Sequence, residues 1–249
     1  MKIIENINYS NNTIAEDTLN IYLPENNEFS VFIYFHGGGI EAGDKANDSD
    51  NFKFLNEKGI AVVSANYRMY PTARYPEFIE DAAMTVAWVK ENISKYGKCD
   101  KIYVGGSSAG GYLSMMLCFD EKYLAKHNIK VSDLAGFVHD AGQPTAHFNV
   151  LRERGIDSRR VIIDESAPIY HICADKNYPP MLILVSDKDM ENRHEQTMLL
   201  VSTLKHFGYD EKTVTLKVGH GGHCYKLWHR DDEGNCLLCK DIYEFIKNN

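Results

Sequence analysis

The sequence predicts an α/β architecture, a largely parallel sheet with helices on both faces. Two observations predict it. From residue 31 onward, short β-branched and aromatic runs alternate with longer stretches of helical apolar spacing. Two of the short runs also end in glycine-rich turns, His36-Gly37-Gly38-Gly39 and Gly105-Gly106-Ser107-Ser108-Ala109-Gly110-Gly111. Turns of that kind at the carboxyl ends of strands are where such sheets build their sites.

Taken in order, residues 3–9 and 18–22 read as antiparallel strands ahead of the main sheet. Residues 31–35 (VFIYF) form a buried strand that stops at the first glycine turn. A strand at 60–64 follows, then a helix over 77–96 whose apolar Ile79, Ala82, Ala83, Val86, Ala87 and Val89 share one side. The strand at 101–104 leads into the second glycine turn, and 112–119 continue as a helix. Further strands are expected at 134–139, 181–186 and 214–218, with helices over 192–207 and 236–247. No repeat, low-complexity stretch or Pro/Ser-rich linker interrupts the chain, so residues 1–249 are expected to form a single domain.

The 249 residues are 44% hydrophobic and 25% charged, the balance of a globular protein able to bury a large core. A net charge of −8 without a basic stripe excludes nucleic acid as a partner. Residues 1–10 lack an apolar signal-peptide core, and no apolar run approaches membrane-spanning length. A cytoplasmic location and no membrane partner are the expectations, with oligomeric state left open. The six cysteines then read as reduced thiols. Cys236-x-x-Cys239 has the spacing of half a zinc site, with His223 or His229 as further ligands. It also opens an amphipathic helix, and ordinary helix thiols are the expectation.

Gly106-x-Ser108-x-Gly110, between a strand and a helix, is the pattern of a nucleophile elbow. The serine sits on a turn too crowded for side chains two places away. The helix behind it offers backbone N–H groups to developing negative charge. Three glycines after Phe35 let main-chain N–H groups approach a ligand in the same way. A serine nucleophile needs a base, and the base an orienting acid. Both stand at later strand ends, Asp187 or Asp189 after 181–186 and His220 or His223 after 214–218, in the order Ser, Asp, His.

These strings together resemble the α/β-hydrolase esterases of the hormone-sensitive-lipase and acetyl-esterase type, over residue 31 to the C-terminus. Gly43-Asp44-Lys45, Asn66-Tyr67-Arg68-x-x-Pro71, Tyr75-Pro76, Asp81 and Pro179-Pro180 add to the likeness. The resemblance implies an α/β-hydrolase fold without a long N-terminal cap, since little chain precedes residue 31. It selects Asp189 by the register of the Gly-x-x-Asp turn, although Ser186 replaces the glycine. It selects His223 by the Gly-x-His-Gly-Phe-like string, although Cys224 replaces glycine. It further implies an oxyanion site made of the N–H groups of Gly38, Gly39 and Ala109, with His36 structural. His139, His147 and His171 lie between residues 134 and 173, much of which resembles a variable insert over the pocket, set at 141–171, and they are expected to be packing or substrate-wall residues. Ile40, where relatives carry an aromatic residue, is expected to widen the acyl side.

The activity so implied is serine-dependent hydrolysis of short-chain acyl esters, acetylated sugars among them, with a small-molecule ester as partner and no cofactor or metal. An arylformamidase resembling the kynurenine formamidases, or a non-catalytic binding module, are the alternatives. Rates on p-nitrophenyl esters, acetylated sugars and N-formylkynurenine separate them.

Overall fold

The protein is described from a computed structural model covering residues 2–10 and 14–249. Its strands are β1 (Lys2–Asn8), β2 (Thr18–Leu23), β3 (Glu28–Phe35), β4 (Ile60–Ala65), β5 (Lys98–Ser107), β6 (Gly136–Asp140), β7 (Met181–Ser186) and β8 (Val214–Gly219). Its helices are α1 (Ser49–Glu57), α2 (Glu77–Asn92), α3 (Ala109–Phe119), α4 (Lys122–Ala125), α5 (Phe148–Glu153), α6 (Arg193–His206), α7 (Tyr225–Trp228) and α8 (Leu237–Asn248). The strands form one sheet in the order β1-β2-β4-β3-β5-β6-β7-β8. It is parallel from β4 to β8, with β1 and β2 joined antiparallel at one edge. This is the predicted α/β-hydrolase architecture, and the elements ahead of β3 among the described residues are the strands β1 and β2.

β3 shows why its run is apolar throughout. Val31, Ile33 and Phe35 point into a core shared with α2, α3 and α6, while Phe32 and Tyr34 enter a second core shared with α1 and α8. A strand covered on both faces needs apolar side chains at every position. Burying each one stabilises the fold by about 1.5–3 kcal/mol. α2 buries Phe78, Ile79, Ala82, Ala83, Val86 and Val89 on one side and carries Glu77 and Glu80 in its first turn. Where one helix to residue 96 was expected, its end tightens into a 3₁₀ turn at Ile93–Lys95, just before Gly97.

All six cysteines are free. Cys236 and Cys239 are buried in the second core at the start of α8, and the Cys236 thiol faces the carbonyls of Lys226 and Leu227 at 3.6 Å. Among the described residues, no helix is long and apolar enough to cross a membrane.

Candidate active site

β5 ends at Ser107 and α3 begins at Ala109, so Ser108 alone makes the turn. Its φ of 55° and ψ of −112° are strained for a non-glycine residue, at a cost of about 1–3 kcal/mol that the surrounding structure must impose. The flanking glycines make it possible. A Cβ on Gly110 would lie 1.9 Å from the Phe35 carbonyl oxygen, and one on Gly106 would lie 2.6 Å from the Gly110 carbonyl carbon. The turn is also clamped to β6. The Ser108 N–H donates to the Asp140 carbonyl (2.8 Å), and the Ser107 hydroxyl donates to the Asp140 carboxylate (2.7 Å). Burial raises the pKa of Asp140 to about 6, and the Ser107 hydrogen bond opposes that rise.

Of the competing acids and bases, the structure pairs each with its own partner. His223 Nε2 lies 2.8 Å from Ser108 Oγ, and its Nδ1 lies 2.5 Å from Asp189 Oδ1. His220 Nδ1 instead meets Asp187 Oδ2 at 2.6 Å, away from the serine. Exposure separates the pairs. The His220 and Asp187 side chains are 80% and 38% exposed, those of His223 and Asp189 26% and 0%. Burial pushes the Asp189 pKa up, but the hydrogen bond and charge of His223 outweigh it and hold the carboxyl below its ordinary value. An ionised Asp189 requires a proton on Nδ1, which leaves Nε2 free to accept the Ser108 hydroxyl proton. Asp187 has a different task. It accepts the Gly221 N–H at 2.9 Å and so ties down the loop that carries His223. Cys224, beside His223, has φ 52°, a left-handed backbone that explains why the family string carries glycine there.

The glycine loop is arranged by its carbonyls. The His36 carbonyl accepts from the Tyr67 hydroxyl (2.9 Å), and the Gly37 carbonyl meets His36 Nδ1 (2.7 Å). The Gly38 carbonyl accepts from the N–H groups of Glu41 and Ala42, and the Ile40 carbonyl from that of Tyr70. The Gly39 carbonyl accepts from Asn149 Nδ2 (2.8 Å). With every carbonyl engaged, the N–H groups of Gly38, Gly39 and Ala109 donate to no protein group among the described residues. The Asn66-Tyr67-Arg68 string acts from behind. Asn66 bonds Asp44 (2.8 Å) and the Lys45 N–H, and Arg68 grips Asp81 and Glu77. His36 is buried and stacked on Tyr67, a structural residue as expected.

Ile40 departs from expectation. It is fully buried in the first core with φ 63°, so it does not widen the pocket. The insert at 141–171 packs onto the glycine loop. Phe148 lies where a Gly39 Cβ would come within 3.1 Å, and Arg152 pairs with Glu41 (2.6 Å). His147 caps α5, and His139 is buried against Phe137 with its pKa lowered to about 3 by desolvation. His171 meets the Glu165 carbonyl at 2.8 Å. None of the three is part of the Ser108–His223–Asp189 chain.

Asn149 is a residue bonded to the glycine loop that the sequence did not reveal. It is buried, and its partner Gly39 lies 110 positions away. No local motif marks it, and only a helix prediction over 148–153 would have drawn attention to it. Asn149→Ala should lower kcat about tenfold with KM little changed, because it frees the Gly39–Ile40 peptide, which adjoins the one carrying the Gly39 N–H. Steady-state kinetics beside a thermal melt will check this; a change confined to KM would mean that Asn149 shapes the pocket instead.

The serine chain opens into a cavity of about 520 Å³, bounded by the glycine loop, Asn47, Asp48, Phe148, Met190, Leu227 and Trp228. A central parallel sheet, a strained serine between β5 and α3, and an acid and a histidine after β7 and β8 together define an α/β-hydrolase.

A model described as the prolyl oligopeptidase family matches residues 77–249, and one described as BD-FAE matches residues 19–131. The chain belongs to the prolyl oligopeptidase family, and within the α/β-hydrolases it is of the hormone-sensitive-lipase and acetyl-esterase type. It is 28% identical over 195 residues to esterase LipC of Mycobacterium tuberculosis, covering 70% of this chain and 48% of LipC. It is 25% identical over 268 residues to probable carboxylesterase 7 of Arabidopsis thaliana, covering 92% of this chain and 82% of that protein. The chain thus spans about half of LipC's length. In fold it is similar to the crystal structure of esterase B from Lactobacillus rhamnosis. The TM-score is 0.80 at 18% identity, over 99% of this chain and 85% of the other.

Proposed function

We propose that the protein is a serine carboxylesterase acting on short acyl esters of small alcohols, acetylated sugars among them. One observation carries the reading, the unbroken hydrogen-bond chain from Ser108 through His223 to a buried Asp189 at the floor of a cavity. In this reading Ser108 Oγ attacks the acyl carbonyl while His223 Nε2 takes its proton. Asp189 holds the imidazole in the required tautomer and stabilises its charged form. The tetrahedral oxyanion is held by the N–H groups of Ala109, Gly38 and Gly39, each worth about 3 kcal/mol in the transition state. His223 then returns the proton to the leaving alcohol, and water activated by the same histidine hydrolyses the acyl-enzyme. The fold is a single α/β-hydrolase domain at work in the cytoplasm, and the reaction calls for no cofactor or metal.

The walls support a short acyl group. Met190 and Trp228 are 44% and 64% exposed, so they stand at an open mouth and cannot line a closed tunnel. Trp228 and the polar Asn47 line the same cavity, a combination that suits an alcohol with one apolar face and several hydroxyls. kcat/KM should therefore fall as the acyl chain lengthens from acetyl to octanoyl on p-nitrophenyl esters. A tunnel would gain about 0.8 kcal/mol for each methylene buried. A preference peaking at octanoyl overturns the short-acyl reading, and acetate release from acetylated sugars in the same assay tests the alcohol.

A further inference from the structure

Arg193 stands where local physics disfavours a cation. It is the first residue of α6, at the helix end whose dipole repels positive charge, and it is only 3% exposed. Its guanidinium donates to the Ala141 carbonyl and to Gln143 Oε1 (3.3 Å), and to no carboxylate among the described residues. A buried charge without a direct counter-ion is costly to keep. Two buried carboxylates lie close by. Asp189 stands four residues earlier on the same turn, and its Oδ2 meets no hydrogen-bond donor among the described residues. Asp140, the residue before Ala141, ends β6 and clamps the elbow.

Both carboxylates act on the His223 imidazole, and each favours its charged form. A histidine that already holds a second proton cannot take one from Ser108. The other charged groups around it do not redress this. Lys226 on α7 is bound to Asp241, and Asp187 pairs with His220 in solvent beside Lys188. Across the cavity Glu41 is paired with Arg152, while Asp48, which accepts the Tyr34 hydroxyl, adds to the negative side. We infer that Arg193 is a positioning residue whose charge offsets the Asp189 and Asp140 carboxylates, so that His223 rests neutral and ready for the Ser108 proton; this rests on the reading of Ser108, His223 and Asp189 as the reacting set. The bond to the Ala141 carbonyl fixes the guanidinium next to Asp140, and its place at the start of α6 fixes it next to the acid turn. Arg193 and Asp189 each favour the ionised form of the other. Asp140, raised to about 6 by burial, still carries its charge at neutral pH.

The test is the pH dependence of kcat/KM on p-nitrophenyl acetate in variants that remove one charge and keep a hydrogen bond. Arg193→Gln can still donate to the Ala141 carbonyl, and Asp140→Asn can still accept the Ser107 hydroxyl. Arg193→Gln should move the acid limb up by about one pH unit, the effect of one nearby charge. Activity on that limb then falls about tenfold, while the alkaline plateau stays within about threefold. Asp140→Asn should move the limb the opposite way, and Arg193→Lys should leave it near the wild-type position. A merely structural role predicts neither the opposite signs nor the rescue by lysine. An unmoved limb in Arg193→Gln, or a limb that moves the same way in both charge-removing variants, overturns the inference. So does a limb displaced in Arg193→Lys, a result that stands even where the glutamine variant does not fold. If the wild type leaves the ester intact, the esterase reading fails separately. The ring titration of His223, followed by NMR and assigned by its loss in His223→Ala, then decides: a midpoint raised by Arg193→Gln and kept by Arg193→Lys supports the role, and an unmoved one overturns it.

Discussion

Ser108→Ala should reduce ester turnover about a millionfold while leaving the thermal midpoint within a degree or two. The hydroxyl is the only atom removed. Alanine meets the same left-handed strain at φ 55°, so the turn is neither eased nor worsened. Ser107→Ala is the informative control, and its effect runs through a different channel. The Ser107 hydroxyl partners the buried Asp140 carboxylate, so its loss costs about 1–3 kcal/mol of stability while the reacting atoms stay in place. Release of p-nitrophenol measured beside a melting curve separates the two. Retained turnover in the Ser108 variant, or equal losses in both, would remove Ser108 from the mechanism.

The second large effect concerns the paired acids and bases. His223→Ala should cost about six orders of magnitude in kcat, as Ser108→Ala does, and Asp189→Asn about four, since the first removes the group that takes the Ser108 proton and the second leaves that group in the wrong tautomer. His220→Ala should leave kcat within a few-fold, because an exposed ion pair is worth about 0–1 kcal/mol. Asp187→Asn should cost somewhat more than His220→Ala, because Asp187 also holds the Gly221 N–H next to the base loop. Kinetic constants for the four variants decide the matter. An inactive His220 variant beside an active His223 variant would transfer the role to the exposed pair.

The parts of this architecture legible in the sequence are those fixed by local chemistry. β7 occupies the predicted residues, Met181–Ser186, because six apolar-to-small residues are bounded by Pro180 and Asp187. The elbow was legible because its glycines answer to steric contacts that no other residue meets. β5, by contrast, starts three residues earlier than expected. Lys98 and Asp100 read as loop, yet Lys98 and Cys99 pair with Glu28 and Phe29 on the neighbouring strand. α1 was missed because only Phe52, Phe54 and Leu55 carry its apolar signal, and tertiary packing supplies the rest. The choice of Asp189 over Asp187 came from the family register, for composition alone left both open. Asn149 and the pairing of Arg152 with Glu41 were beyond reach because each joins residues more than a hundred positions apart. Ile40 was misread for a related reason: the backbone leaves the glycines left-handed and turns its side chain inward.

The serine and the histidine hang from very different parts of the sheet. Ser108 follows β5, which has a strand on either side, whereas His223 follows β8, the outermost strand, held by β7 alone. Edge strands open locally at a lower free energy than the centre they flank. On the proposed mechanism, fraying at that border is expected to part His223 from Ser108 before the core gives way, so that activity should fade ahead of the fold.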